Sequence, residues 1–233
     1  AGAALVTTRE RPVIAIDGPV GAGKSTVARA LARALGFSHL NTGAMYRAVA
    51  LAASLRYTLD ELTDPAIAQR LGELLDSISI TFAGERIALD GRDISDAIAA
   101  PAISDLASRL SALAVVRERM RTLQRAAGGA GSVVMEGRDI GTVIFPDAEF
   151  KFYLTADVAV RAARRWAELH AKGDPMSRDE VLAQLRERDR RDQERELAPL
   201  KPAPDAIIVD SSKLDAATVV ALMKKHVERG GRV

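Results

Sequence analysis

Apolar residues fall along this chain in two rhythms. Short runs at 13–17, 132–135, 149–154 and 206–209 have the length and the β-branched and aromatic content of strands. Between them, apolar positions recur every three or four residues. Val27, Leu31 and Leu35 open one such helical stretch, which Gly36 ends. Val219, Val220, Leu222, Met223 and Val227 mark another, from about Asp215 to Arg229, that stops before Gly230 and Gly231. Strands alternating with helices predict a parallel sheet covered on both faces. The run at 149–154 alternates only in part, so it is expected to be less buried. Residues 77–90 keep a period of two on either side of Ala83-Gly84-Glu85, which predicts a β-hairpin instead of another crossover unit. We read 63–105 as a small α+β insertion in a main domain covering 12–62 and 106–233. Gly128-Gly129-Ala130-Gly131 is read as a flexible joint, and 1–11 as a disordered lead-in.

Composition narrows the class. A chain of 233 residues, 48% of them hydrophobic, can bury a sizeable core. Lys+Arg 33 against Asp+Glu 31 is a near balance that argues against a coat for nucleic acid. Cysteine is absent, which excludes disulfides, zinc–thiolate sites and a thiol nucleophile. No apolar run approaches the ~20 residues that span a bilayer, and the expected setting is the cytoplasm, away from membranes. The basic residues are mostly arginine, which suits bidentate phosphate contacts, although a codon bias explains much of the excess.

One segment carries a definite chemistry. Gly18-Pro19-Val20-Gly21-Ala22-Gly23-Lys24-Ser25-Thr26 fits G-x-x-x-x-G-K-[ST], directly after a strand run and before a helical one. Backbone N–H groups of such a turn and helix start face inward and suit a polyphosphate. Lys24 is the only lysine in the first 150 residues, so its place here is not casual.

The remaining candidates hold arginine beside carboxylates. In Leu40-Asn41-Thr42-Gly43-Ala44-Met45-Tyr46-Arg47, Arg47 is placed to clamp a phosphate; the alternative is a packed Tyr46 and a solvated Arg47. In Val133–Gly141 an apolar strand delivers Glu136, Arg138 and Asp139 to its carboxyl end, where open α/β sheets bind ligands; the alternative is a surface turn with a local ion pair. A second Gly-Arg-Asp, at 91–93, follows the hairpin and is read as a surface turn without a role. In residues 186–196 five arginines meet five acids. Helical spacing puts Arg188, Arg191, Asp192 and Arg195 on one face, either a solvated salt-bridged helix or a lid over phosphates.

Taken together, Ile-Asp-Gly-Pro-Val-Gly-Ala-Gly-Lys-Ser-Thr (16–26), Thr-Gly-Ala-Met-Tyr-Arg (42–47), Glu-Gly-Arg-Asp-Ile-Gly-Thr-Val-Ile-Phe-Pro-Asp-Ala (136–148) and Arg-Asp-x-x-Asp…Ala-Pro-Leu (188–200) resemble the bacterial cytidylate kinase family, from Ile14 to about Lys225. The resemblance implies a P-loop, three-layer α/β fold with a parallel five-stranded core sheet, a monophosphate-binding insertion holding a small antiparallel sheet, and a helical lid at about 170–200. It implies transfer of the ATP γ-phosphate to CMP or dCMP with Mg²⁺. Residues 18–26 would hold the ATP phosphates, Lys24 the transferred group and Ser25 the Mg²⁺. Thr42, Tyr46 and Arg47 would line the CMP site, with Arg47 and Arg138 on its phosphate. Ser108, Arg117 and Asp139 would read cytosine, while Arg188 and Asp192 would hold the pentose and Arg195 the phosphates. Lys24, Arg138, Arg188 and Arg195 form the expected catalytic set.

Two features depart from the family pattern. Asn41 stands where relatives usually have aspartate. Ser108 and Arg117, nine residues apart, would face opposite sides of a continuous helix, so either the helix breaks between Ser111 and Ala114 or Ser108 does not reach the base. The partners expected are small nucleotides, with no nucleic acid and no membrane, acting on a monomer. Two alternatives stand beside this reading: a kinase for UMP or a small alcohol, which in the alcohol case needs a positioned base, and an ATP-gated RNA-binding module. Aromatic residues at 4% leave few stacking platforms for the latter.

Overall fold

The structure is a computed structural model describing residues 11–64, 66–171 and 173–230; residues 1–10 of the expected lead-in lie outside it. The strands are β1 (Val13–Asp17), β2 (Ser38–Asn41), β3 (Ile80–Ala83), β4 (Arg86–Leu89), β5 (Arg92–Asp93), β6 (Val133–Gly137), β7 (Phe150–Thr155) and β8 (Ile207–Asp210). The longer helices are α1 (Lys24–Leu35), α2 (Thr42–Ser54), α4 (Ile67–Ser77), α5 (Pro101–Leu110), α6 (Ala114–Gly128), α7 (Val158–His170), α8 (Arg178–Glu194) and α9 (Ala216–Glu228), with a single-turn α3 (Leu59–Thr63).

Five strands form one parallel sheet in the order β2-β6-β1-β7-β8. β1 and β6 are buried along their whole length, as continuous apolar runs between two helical layers should be. Below the sheet, Ile14, Ile16, Leu31, Phe152, Leu154 and Met223 share a core with α1 and α9; above it, Val13, Ala15, Met135 and Ile140 share another. Each of these side chains larger than alanine contributes about 1.5–3 kcal/mol through burial. β7 is only half-buried, as its partial alternation predicted. The expectation from residue pattern named four strands of this sheet. The fifth, β2, reads Ser-His-Leu-Asn, and only Leu40 of its four residues is buried, so it has no apolar run to recognise.

Register positions the chemistry. Asp17 pairs with Gly137 across β1 and β6, and Asn41 pairs with Glu136 across β2 and β6. The loop after β1, the start of α2 after β2 and the turn after β6 therefore leave the sheet side by side, on the carboxyl edge where open α/β sheets take ligands.

The hairpin at 77–90 is present as β3 and β4, paired from Ile80↔Leu89 to Ala83↔Arg86. The second Gly-Arg-Asp does more than turn: Arg92 and Asp93 form β5, the third strand of this small sheet, and Asp93 pairs with Arg86. The glycines after α6 are set by close packing. A Cβ on Gly128 would lie 2.7 Å from Met135 Sδ, and one on Gly131, at φ +72°, would lie 1.9 Å from the Arg11 carbonyl oxygen. That tract, read from sequence as a flexible joint, is a tight turn closed by Gly131 N–H donating to Gly128 C=O at 3.0 Å.

Candidate active site

A cleft of about 1260 Å³ runs along the carboxyl edge of the sheet, between α1, α2, α5, α6 and α8. Its floor is the loop after β1. Gly21 and Gly23 hold φ +76° and +90°, left-handed values that let the chain curl and present backbone N–H groups, and Gly23 caps α1. Residues 20 to 26 line the cleft; Gly18 and Pro19 lie behind that wall. Gly18 is needed for packing, since a Cβ there would sit 2.0 Å from the Leu154 carbonyl oxygen of β7. Lys24 is buried, and its ammonium donates to the Pro19 carbonyl at 2.7 Å. Burial, and then the nearby Arg138 guanidinium, push Lys24 well below its ordinary pKa. A group so placed gains from any anion that enters the loop. Ser25 Oγ donates to Glu136 Oε2 at 2.7 Å, while His39 Nε2 meets the other oxygen of that carboxylate at 3.1 Å.

The side facing this loop collects cations from several elements. Asn41 caps α2 by accepting the Ala44 N–H at 3.0 Å, a task for which the amide serves as well as a carboxylate. Thr42 at the helix start donates to the Glu136 carbonyl at 2.7 Å. Arg47, one turn on, lines the cleft and makes no hydrogen bond to protein among the described residues; burial lowers its pKa. From the β6 tip, Arg138 Nε donates to Asp192 Oδ2 at 2.9 Å. Burial works against ionised Asp192, yet Arg138 and Arg188 hold its pKa below the usual range.

The arginine face of α8 is turned into the cleft, so the solvated-helix alternative does not describe it. Arg188 donates to Ser104 Oγ at 2.8 Å and Arg191 to Asp105 Oδ1 at 2.8 Å, which ties α8 to α5. Burial, then Arg138, lowers the Arg188 pKa to about 10. Arg195, just past the end of α8, is lowered by burial and by Arg117 and lies 4.0 Å from Asp139.

The far end of the cleft is a polar pocket. The helix does break: α5 stops at Leu110 and α6 starts at Ala114, so Ser108 and Arg117 both line the cleft despite their spacing. Arg117 is buried, pairs with Asp139 and donates to the Ser111 carbonyl at 3.0 Å. Burial, then Asp139, raises the Tyr46 phenol to about 12. Ser108 Oγ, Arg188 Nε and an Arg195 Nη are buried with no hydrogen-bond partner among the described residues. Arg191 Nε, on a fourth cleft residue, is likewise without one, as are buried atoms of Arg119, Gln124, Thr142 and Asp189 away from the cleft lining; those in the cleft are free to meet a ligand.

Several site residues escaped the sequence reading. Asp17 is buried at the end of β1 and accepts the N–H groups of Ile140 and Gly141, each at 2.8 Å, so it fixes the π-helical turn Ile140–Ile144 that follows Asp139. Burial raises its pKa to about 6. Arg161 donates to the Val20 carbonyl at 3.1 Å and pairs with Asp189 at 2.7 Å, joining the loop after β1 to α8. Ser211 and Leu214, in the turn after β8, line the other end of the cleft. Asp17 stood in the 16–26 marker without a role, and the β8 turn was findable as one more strand end on the ligand-binding edge.

A parallel sheet with a phosphate loop at its carboxyl edge and arginines closing over it from separate elements defines a P-loop kinase. A family model described as cytidylate kinase matches residues 14–229. The cytidylate kinase of Pelotomaculum thermopropionicum is 46% identical over 222 residues, covering 95% of this chain and 98% of that protein. That of Geobacter sulfurreducens is 46% identical over 220 residues, covering 94% of each. The chain belongs to the cytidylate kinase family. In fold alone it is similar to an uncharacterized protein from Eubacterium ventriosum, whose crystal structure matches with a TM-score of 0.51 at 15% identity, over 94% of this chain and 99% of that one.

Proposed function

We propose that this chain transfers the γ-phosphate of ATP to CMP or dCMP, giving ADP and CDP or dCDP. ATP occupies the loop after β1, with its phosphates on residues 18–26; its nucleoside reaches toward Ser211 and Leu214. CMP lies opposite, its phosphate between Arg47 and Arg138, its pentose beside Arg188 and Asp192, and its base against Ser108, Arg117 and Asp139. The observation that carries this reading is the cluster of under-partnered buried cations around one cleft. That cluster is unfavourable when empty and is neutralised by two polyanions.

The reaction is an in-line displacement. A phosphate oxygen of CMP forms a bond to the γ-phosphorus as the bond from that phosphorus to the β,γ-bridging oxygen breaks, and ADP leaves with that electron pair. A monophosphate's second pKa is ~6, so CMP attacks as a dianion and needs no base. The barrier is the repulsion between the anions. Lys24 gives up its Pro19 carbonyl for the transferred group, and Arg138 and Arg195 offset the charge on its other oxygens. Arg188 and Arg191 hold α8 down on α5, which excludes water as a competing acceptor. Ser25 Oγ, whose proton Glu136 Oε2 accepts, is a hard oxygen donor beside the loop and suits Mg²⁺, which binds through few protein groups and the substrate phosphates. When bound, Mg²⁺ screens the β- and γ-phosphate charge.

We assign 63–105 to the acceptor side and about 170–200 to the lid, on a frame formed by 12–62 and 106–230. We take it to act as a monomer, and we place that action in the cytoplasm, without nucleic acid. Among the described residues no helix is long and apolar enough to cross a membrane. The test is ADP release with Mg·ATP and a panel of acceptors. CMP and dCMP should be used well, UMP poorly, and AMP, GMP and small alcohols hardly at all. ADP release with an alcohol but not CMP, or salt-sensitive RNA binding with no ADP release, would overturn the assignment.

A further inference from the structure

Glu136 is held at both oxygens: Ser25 Oγ donates to Oε2 at 2.7 Å, and His39 Nε2 lies 3.1 Å from Oε1. His39 pairs in register with Val134, two residues before Glu136, so the histidine and the carboxylate sit on the same face of the sheet. All three residues line the cleft. The side chains of His39 and Glu136 are 12% and 5% exposed, so water offers the carboxylate little. A carboxylate oxygen only accepts, so the imidazole presents its Nε2–H.

From this chain of contacts we infer that His39 is a positioning residue for the metal-side serine, acting through Glu136; the inference rests on the Mg·ATP assignment above. Ser25 can offer a lone pair to a cation only if its proton is directed elsewhere, and Glu136 Oε2 receives that proton. The carboxylate keeps that orientation only while its second oxygen is anchored. Lys24 and Arg47 both act on Glu136 by charge, and either would draw an unanchored carboxylate away from Ser25. His39, from the neighbouring strand, supplies the anchor. The arrangement has the form of an outer partner orienting a first-contact ligand, a type of contact whose loss typically weakens metal binding about 10–100-fold.

The test uses the intact chain. Nitrogen-15 labelling of its 3 histidines lets the His39 ring be followed, with His39→Gln identifying its signal. Mg·ADP should move the His39 Nε2 resonance relative to ADP with chelator, and CMP alone should not. In parallel, Mn²⁺ binding in the presence of ADP is read by electron paramagnetic resonance. His39→Phe keeps the ring volume without the donor and should weaken Mn²⁺ about tenfold. His39→Gln, whose amide N–H can reach the same oxygen, should restore binding to within about threefold, and KM for CMP should stay put in both. If His39→Phe fails to fold, the wild-type resonance and the glutamine variant decide. A His39 signal indifferent to Mg·ADP while ADP binds, a phenylalanine variant with wild-type Mn²⁺ affinity, or a glutamine variant as weak as the phenylalanine one overturns the inference alone. Failure of the wild type to bind Mg·ADP overturns the function proposed above, and this inference with it.

Discussion

The proposed donor end of the cleft rests on one consecutive stretch, residues 20–26, whereas the proposed acceptor end gathers Thr42 and Arg47 from α2, Ser108 from α5, Arg117 from α6, Arg138 and Asp139 from the β6 tip, and Arg188 and Asp192 from α8. The first is a local object: glycines with left-handed φ and a helix start create it wherever a strand precedes them. The second exists only when the whole chain has folded. Its cations are held by long-range pairs, Arg138 to Asp192, Arg188 to Ser104 and Arg117 to Asp139. Binding of phosphate can therefore be written in one loop, while choice of acceptor is a property of tertiary packing and of whatever moves it.

The sharpest way to separate the two ends is to remove one cation from each. Lys24→Ala takes away the only ammonium in the loop and should lower kcat by about 10²–10³, the cost of ~2.7–4 kcal/mol of transition-state stabilisation. Its thermal midpoint should not fall, because the lost group is a buried charge whose pKa is already depressed. Arg188→Ala should raise KM for CMP and dCMP by about tenfold or more, a loss of ~1.5–3 kcal/mol, and leave KM for ATP near wild type. Steady-state kinetics with each substrate varied in turn checks both. Equal effects of Arg188→Ala on ATP and CMP would break the division between the two ends.

Asp17 joins them, because it ends β1, precedes the phosphate loop, and holds the turn after Asp139. Its folded pKa, about 6, exceeds the 3.8 of a free aspartate side chain, so the folded state binds the extra proton between those values. Wild type should gain stability relative to Asp17→Asn as pH falls from about 6 to 3.8, by on the order of 3 kcal/mol, and the gap should then level off. Denaturant unfolding of both proteins across that window checks the sign; a constant difference would show that Asp17 does not carry that proton. The smallest effect belongs to the ion pairs that link the hairpin to α1. Glu85 meets Arg29 at 3.3 Å and Arg33 at 2.8 Å, but all three are exposed. Glu85→Gln should change stability by no more than about 0.5 kcal/mol, measured as a shift in the unfolding midpoint.

The same contrast governs what could be read from the chain. The phosphate loop, four of the five core strands, the hairpin and the arginine face of α8 all carry a period or motif of their own, and each is found where its residues predicted. β2 was silent because three of its four residues are not buried. Asp17 and Glu136 look in sequence like the polar ends of two apolar runs; only the register Asp17↔Gly137 and Asn41↔Glu136 shows what they face. Ser108 and Arg117 illustrate the limit from the other side. Their spacing argued against a shared site, and the three-residue break at 111–113 that brings both to the cleft has neither proline nor glycine to announce it.

The central claim is that one cleft takes both nucleotides at once and aligns them for direct transfer. Calorimetric titration with cytidine and adenosine joined through a pentaphosphate tests it most directly, with ATP and CMP as competitors. The account predicts a single site per chain, tighter than for either nucleotide alone, displaced by both, and weakened by Lys24→Ala and by Arg188→Ala alike. A linked ligand displaced by only one of the two, or bound no more tightly than ATP, would contradict it.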